Sequence, residues 1–199
     1  MQGPQFPPPP RAQVRANGKA AWVISQLYYY AVCVIAVCFV IGGAIACLIG
    51  FREALLPSPG QDASASARQV LMGIAWALPF GVALFWHLRE ARRRDRSPVA
   101  GVFWGSALYY HLVAFVSLQV LLTGAVAALV SLINAGFAQP CSGPYDYGSC
   151  TDASSELRTA LNGVIAMIVS GPVFWWHLRE GRRVTRAPET REAVEGPKQ

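Results

Sequence analysis

The sequence predicts an all-α integral membrane protein: four transmembrane helices forming two tandem helical hairpins, related by a pseudo-twofold axis along the membrane normal. Three observations carry that prediction. In a chain of 199 residues that is 53% hydrophobic and 14% charged, four windows of nineteen or more residues lack Asp, Glu, Lys and Arg altogether, the length a helix needs to cross a bilayer. The Lys and Arg residues gather on one side of those windows. The phrase Trp-His-Leu-Arg-Glu is written twice, at 86–90 and at 176–180, each time closing an apolar run.

Residues 1–20 contain Pro7 to Pro10 and few apolar side chains. A segment that cannot bury a core is expected to be a disordered, Pro-rich cytoplasmic N-terminus. The first repeat is placed at residues 21–96, and its first helix at Tyr28 to Phe51. This stretch is longer than the apolar region of a cleaved signal, and the small-residue run Ala44-Ile45-Ala46-Cys47 lies deep inside it, so the helix is expected to stay. The second helix runs from Val70 to Leu88. At about 1.5 Å per residue its nineteen residues just cover a hydrocarbon core of about 30 Å, whereas the longer first helix must tilt or protrude. A short basic-flanked cytoplasmic connection, 97–101, leads to the second repeat at 102–186, with helices at Tyr109 to Ile133 and Ala160 to Leu178. Residues 187–199 are polar, with Pro, Gly and mixed charge, and are expected to form a disordered tail. Unbroken apolar runs, too few and too long, argue against a β-barrel.

Orientation follows from charge. Fourteen of the 17 Lys and Arg residues lie before the first helix, between the second and third, or after the fourth; only Arg52, Arg68 and Arg158 lie in the other two loops. The positive-inside rule places both termini and the central connection in the cytoplasm. The net charge of +6 is thereby explained by topology, with no nucleic-acid partner implied. Cysteine placement agrees with this orientation. Cys33, Cys38 and Cys47 lie within the first helix, where a thiol acts as a small hydrophobe, while Cys141 and Cys150 bracket a turn-rich segment of the last outer loop. An oxidising exterior would favour a Cys141–Cys150 disulfide; free thiols or a metal site are the alternatives.

The two halves align residue by residue. Ser25, Leu27, Tyr28 and Tyr29 recur as Ser106, Leu108, Tyr109 and Tyr110, an offset of 81 that also carries Gly43 onto Gly124. After outer loops of unequal length, Gly73 and Gly81 recur as Gly163 and Gly171 at an offset of 90, together with the doubled phrase. Each unit crosses the membrane an even number of times, so the copies form a parallel internal repeat, and both phrases fall at one depth. There Trp86, His87 and Arg89, like Trp176, His177 and Arg179, form an interfacial anchor: amphipathic rings suit the headgroup level, and arginines there favour a helix C-terminus and the anionic headgroups of the cytoplasmic leaflet. Within the bilayer, small residues allow close helix approach. Gly73, Ala77 and Gly81, with Gly163 and Gly171, are the expected packing positions, and Gly42, Ala46 and Gly50 form a similar strip.

The unit that starts at Leu-Tyr-Tyr, crosses once, and returns through a glycine-bearing helix to Trp-His-Leu-Arg and more arginines resembles an uncharacterised bacterial membrane domain family, a domain of unknown function. Leu27 to Arg93 and Leu108 to Arg183 carry the resemblance. It implies a bacterial inner membrane and a two-helix unit, present here as two tandem copies, and it supplies no catalytic residues.

The sequence holds no nucleotide loop, zinc signature or nucleophile-base set, and no span carries an ionisable Lys, Arg, Asp or Glu near its middle, as proton relays and ion pathways do. The chain is therefore expected to be non-catalytic and without a cofactor: a scaffold, assembly factor or accessory subunit of a larger membrane complex, or a homo-oligomer. Two alternatives stay open. His87 and His177, if they faced a common axis, would be ligands for a haem in an electron carrier, with Arg89 and Arg179 near its propionates. A small channel or transporter component would need a polar route past Gln119, Thr123 and Asn162.

Overall fold

The computed structural model describes residues 11–57, 63–95, 105–138 and 152–195, with side chains described over 21–57, 63–93, 105–138 and 152–185. These residues form four helices: α1, Arg11–Leu55; α2, Ala63–Asp95; α3, Gly105–Phe137; and α4, Ala153–Glu195. Each contains a stretch long and apolar enough to span a membrane: Ala21–Leu55, Ala63–Arg93, Gly105–Phe137 and Ala153–Thr185. At about 1.5 Å per residue, stretches of 31 to 35 residues outrun a hydrocarbon core of about 30 Å. The charged ends of α2 and α4 therefore continue the helix beyond the apolar window. Cys141, Cys150 and the 97–101 connection lie outside the described residues.

Two segments expected to lack structure differ from that expectation. Backbone helix begins at Arg11, inside the 1–20 segment, and α4 runs to Glu195, through most of the 187–199 tail. An existing helix removes the nucleation barrier, so each added residue needs only the small propagation term, which the Ala, Arg and Gln residues of 11–20 meet, whereas α4 extends through Pro188 against that residue's poor helix propensity. Pro79 and Pro172 both lie inside helices that continue past them.

α1 packs antiparallel along α2, and α3 along α4. The close contacts show the direction. Gln26 reaches Ala91, Val40 meets Gly81, Gly43 meets Gly73 and Ala77, and Gly50 meets Val70 and Ser66. In the other pair, Gly181 lies against Tyr110 and His111, Leu121 against Gly171, and Gly124 against Gly163. The glycines are needed where backbones nearly touch. A Cβ on Gly73 would lie 2.6 Å from the Cys47 nitrogen, and one on Gly163 would lie 2.9 Å from the Ala128 nitrogen and closer still to the Gly124 carbonyl. Gly81 and Gly171, expected to share this role, do not: their Cβ positions meet only side-chain carbons at 3.9 and 3.6 Å. On α1 the residues at the contact are Gly43 and Gly50, the latter with a Cβ position 2.9 Å from the Val70 nitrogen, while Gly42 of the expected strip faces open space. Both corrections have one cause: residues one or eight apart on a helix differ by about 100° or about 80° around its axis, so not every small residue of a strip lies on the line of closest approach.

The two pairs meet through α1, which lies against both α3 and α4. Tyr30, Cys33, Val37 and Ile41, one stripe of α1 at three- and four-residue spacing, are buried with Tyr109, Tyr110 and Val113 of α3 and with Ala91 of α2. α3 makes no matching backbone approach to α2 among the described residues, so α2 has α1 as its one close helix neighbour and carries a largely uncovered surface that includes Leu71, Leu78 and Val82.

Candidate functional site

The arginine-rich ends of α2 and α4 come together with the tyrosine-bearing ends of α1 and α3. Each histidine of the doubled phrase bonds its own helix: Nδ1 of His87 donates to the Ala83 carbonyl and Nδ1 of His177 to that of Val173, both at 2.8 Å. A carbonyl only accepts, so Nδ1 carries a proton in each ring, and Nε2 is the nitrogen whose lone pair, in the neutral form, is open to another partner. In His177, which is buried, that lone pair faces the Tyr109 hydroxyl at 3.4 Å. The rings pack within their own helix pairs. His87 lies 6.2 and 5.8 Å from Tyr28 and Tyr29, and His177 lies 5.7 and 5.9 Å from Tyr109 and Tyr110. Each imidazole is thus held by the tyrosines at equivalent positions of its own half. Nε2 of His177, the nitrogen a haem iron would need, is directed at a hydroxyl. Among the described residues no group of three or more His, Cys, Asp or Glu is placed to hold a metal ion.

Trp86 and Trp176 are both exposed, as are Arg89 and Arg179. The helix-terminus part of the anchor reading does not extend to Arg89, Arg179, Arg182 or Arg183, none of which lies in a last helical turn. α2 ends at Asp95, so Arg92 and Arg93 sit in its last turn, whereas α4 continues to Glu195, well past Arg183; the macrodipole acts only within the last turn. Arg92 has a further role that sequence reasoning missed. Its Nη2 donates to the Tyr110 hydroxyl at 3.0 Å and its guanidinium lies 6.0 Å from the Trp176 ring centre, so a side chain of α2 ties the first pair to both helices of the second. Gln26, fully buried on α1, was also missed; its Nε2 donates to the Ala91 carbonyl at 3.5 Å.

Each basic helix end carries a crevice. One, of about 420 Å³, is lined by Phe85, Leu88, Arg89, Arg92 and Arg93. The other, of about 330 Å³, is lined by Trp175, Leu178, Arg179, Arg182 and Arg183. The linings are the same five positions of the two halves, at an offset of 90. Glu90 approaches Arg93 at 4.0 Å and Glu180 approaches Arg183 at 3.3 Å, again at equivalent positions.

At the opposite end Arg52 is enclosed, its side chain 9% exposed, and donates through Nη2 to Glu53 at 2.6 Å and to Asn162 of α4 at 3.0 Å. Its Nε and Nη1 are buried without a hydrogen-bond partner. Arg158, one turn before Asn162, donates to the Pro57 carbonyl at 3.0 Å, so one face of α4 is bonded to the end of α1. Asn162 is therefore a cross-helix partner, while Gln119 and Thr123 are exposed on α3; the structure does not bring these three together as a route. Asp152 caps α4. Its carboxylate accepts from the Ser154 amide at 3.0 Å and the Ser154 hydroxyl at 2.6 Å, and its carbonyl accepts from Ser155 and Glu156. The Ser154 hydroxyl, then the Ser154 amide, holds this carboxyl below the usual aspartate range.

Residues 107–194 match a protein family described as a domain of unknown function, DUF5671. The matched region takes in nearly all of α3, α4 to its penultimate residue, and the second copy of the doubled phrase. No curated protein and no solved structure matches the chain.

Proposed function

We propose that this chain is a non-catalytic, multi-pass protein of a bacterial inner membrane that serves as a scaffold, assembly factor or accessory subunit of a larger membrane complex. The observation that carries this reading is the position of α2. Its one close helix neighbour is α1, so most of its apolar surface is left for lipid or for another membrane helix. The interior points the same way. Helix pairs closed at the backbone level, at Gly43–Gly73 and Gly124–Gly163, suit a rigid frame better than a polar route.

In this reading the arginine-rich ends face the cytoplasm, and the two helix pairs are tandem copies of one hairpin turned about an axis along the membrane normal. Matched glycine contacts and matched tyrosine-histidine contacts support the duplication. The symmetry is approximate, because α1 approaches α4 without an α3–α2 counterpart. Purification of the full chain from native membranes in a mild detergent tests the proposed role. The expected product is an oligomer or a complex with other membrane subunits; recovery only as a lone monomer would overturn it.

A further inference from the structure

The two crevices carry a more specific ligand reading, which rests on the placement of the arginine-rich ends at a membrane surface. The lining of each follows one helical face at i, i+3, i+4, i+7 and i+8. Along that face the chemistry changes in one direction. An exposed ring comes first, Phe85 at 67% and Trp175 at 65%. Leu88 or Leu178 follows, then three guanidinium groups. The whole sequence takes about 12 Å of helix rise at about 1.5 Å per residue. A free anion would account for the arginines but not for the apolar floor beneath them. A molecule with an anionic head and an apolar tail lying along the helix accounts for both.

The charge can also be counted. Three arginines line each crevice and one glutamate pairs with the last of them, so each lining with its paired glutamate carries a formal charge of +2. Arginine is suited to this work, since its planar fork matches phosphate oxygens.

We propose that each helix pair binds one anionic glycerophospholipid, its phosphate among the arginines and its acyl chain over Phe85 or Trp175, giving two lipids per chain. The sites differ in one respect. In the first, Arg92 is already positioned by the Tyr110 hydroxyl and the Trp176 face, so less side-chain freedom is lost on binding. The Phe85 crevice holds its lipid more tightly.

The test is native mass spectrometry of the full chain, released from detergent in the presence of phosphatidylglycerol, phosphatidylcholine or inorganic phosphate. Up to two phosphatidylglycerol molecules should be retained per chain, with phosphatidylcholine lost and millimolar phosphate unable to displace the lipid. Arg89→Gln with Arg93→Gln should weaken one site by about thirtyfold, and Arg179→Gln with Arg183→Gln the other, from ~1 kcal/mol per basic residue. The matching Arg→Lys variants should restore most of the retention. Tyr110→Phe should loosen only the lipid of the first crevice.

Equal retention of the two lipids, or retention indifferent to both paired variants, would overturn the proposal. Displacement of the lipid by phosphate would leave a free-anion site and remove the lipid. Each paired variant leaves the other crevice intact as an internal control for folding. Because retention is read on the purified chain alone, its failure is separate from any failure of the subunit reading.

Discussion

Glycine 73 and glycine 163 show how much a single hydrogen atom decides in this bundle. A side chain at either position would meet backbone atoms, which cannot rotate away. Gly73→Val and Gly163→Val should each destabilise the protein by about 2 kcal/mol or more, whereas Gly81→Ala and Gly171→Ala should leave it nearly unchanged; thermal melts in one detergent compare all four. The matched glycines were visible in the sequence. Which of them lies on the contact line was not, because that depends on how two helices are rotated against each other. Arg52 makes a second case. With Glu53 only 15% exposed beside it, Glu53→Ala leaves a buried guanidinium without its counter-charge and should cost about 3 to 5 kcal/mol, while Arg52→Met with Glu53→Leu should fall close to the parent. A double-mutant cycle followed by melting measures the difference. No local pattern marked Arg52 as buried, since its partner Asn162 is more than a hundred residues away in the chain.

Helix α4 begins with a cap that the sequence spells out as Asp152 two residues before Ser154. The depressed carboxyl means that the ionised cap is the form the folded helix prefers. Its contribution is therefore complete above the ordinary aspartate pKa and is lost as pH falls through the lower, folded-state value. Hydrogen exchange at the amides of residues 154–156 should accelerate in that acidic window, and Asp152→Ala should produce the same fraying at neutral pH; protection unchanged in both would show that the first turn is held by other means. α1 and α2 differ in a way their compositions do not announce. Both are apolar and long enough to span a membrane, yet the backbone of α1 lies close to three helices and that of α2 to one, with the Arg92 side chain reaching across to the second pair. The buried stripe Tyr30, Cys33, Val37 and Ile41 has the spacing of a packing face, but in a helix that is apolar all round, spacing cannot select which face is covered by protein and which by lipid.

The molecule as a whole is less symmetric than its sequence. Tyr109 is 2% exposed while its counterpart Tyr28 is 58% exposed, because the second pair turns its tyrosines toward α1 and the first pair turns Tyr30 instead. One prediction belongs to this scale. With both termini in the cytoplasm, a membrane-impermeant label should reach the segment around Cys141 from outside and a C-terminal tag only from inside; labelling of both from one face would end the proposed orientation. The number of helices, their length, the end at which the aromatic and basic residues collect, and the recurrence of the doubled phrase with its glycines were all legible in the sequence alone. These depend on local hydrophobicity and on comparing the chain with itself. The role of Arg92 as a tie between pairs, the close approach at Gly43 and Gly73, the burial of Arg52 and the peripheral position of α2 were decided only by the tertiary structure. The reason is physical: in an apolar medium the hydrophobic effect no longer distinguishes one helix face from another, so the arrangement is set by steric fit and a few polar contacts between residues far apart in the chain.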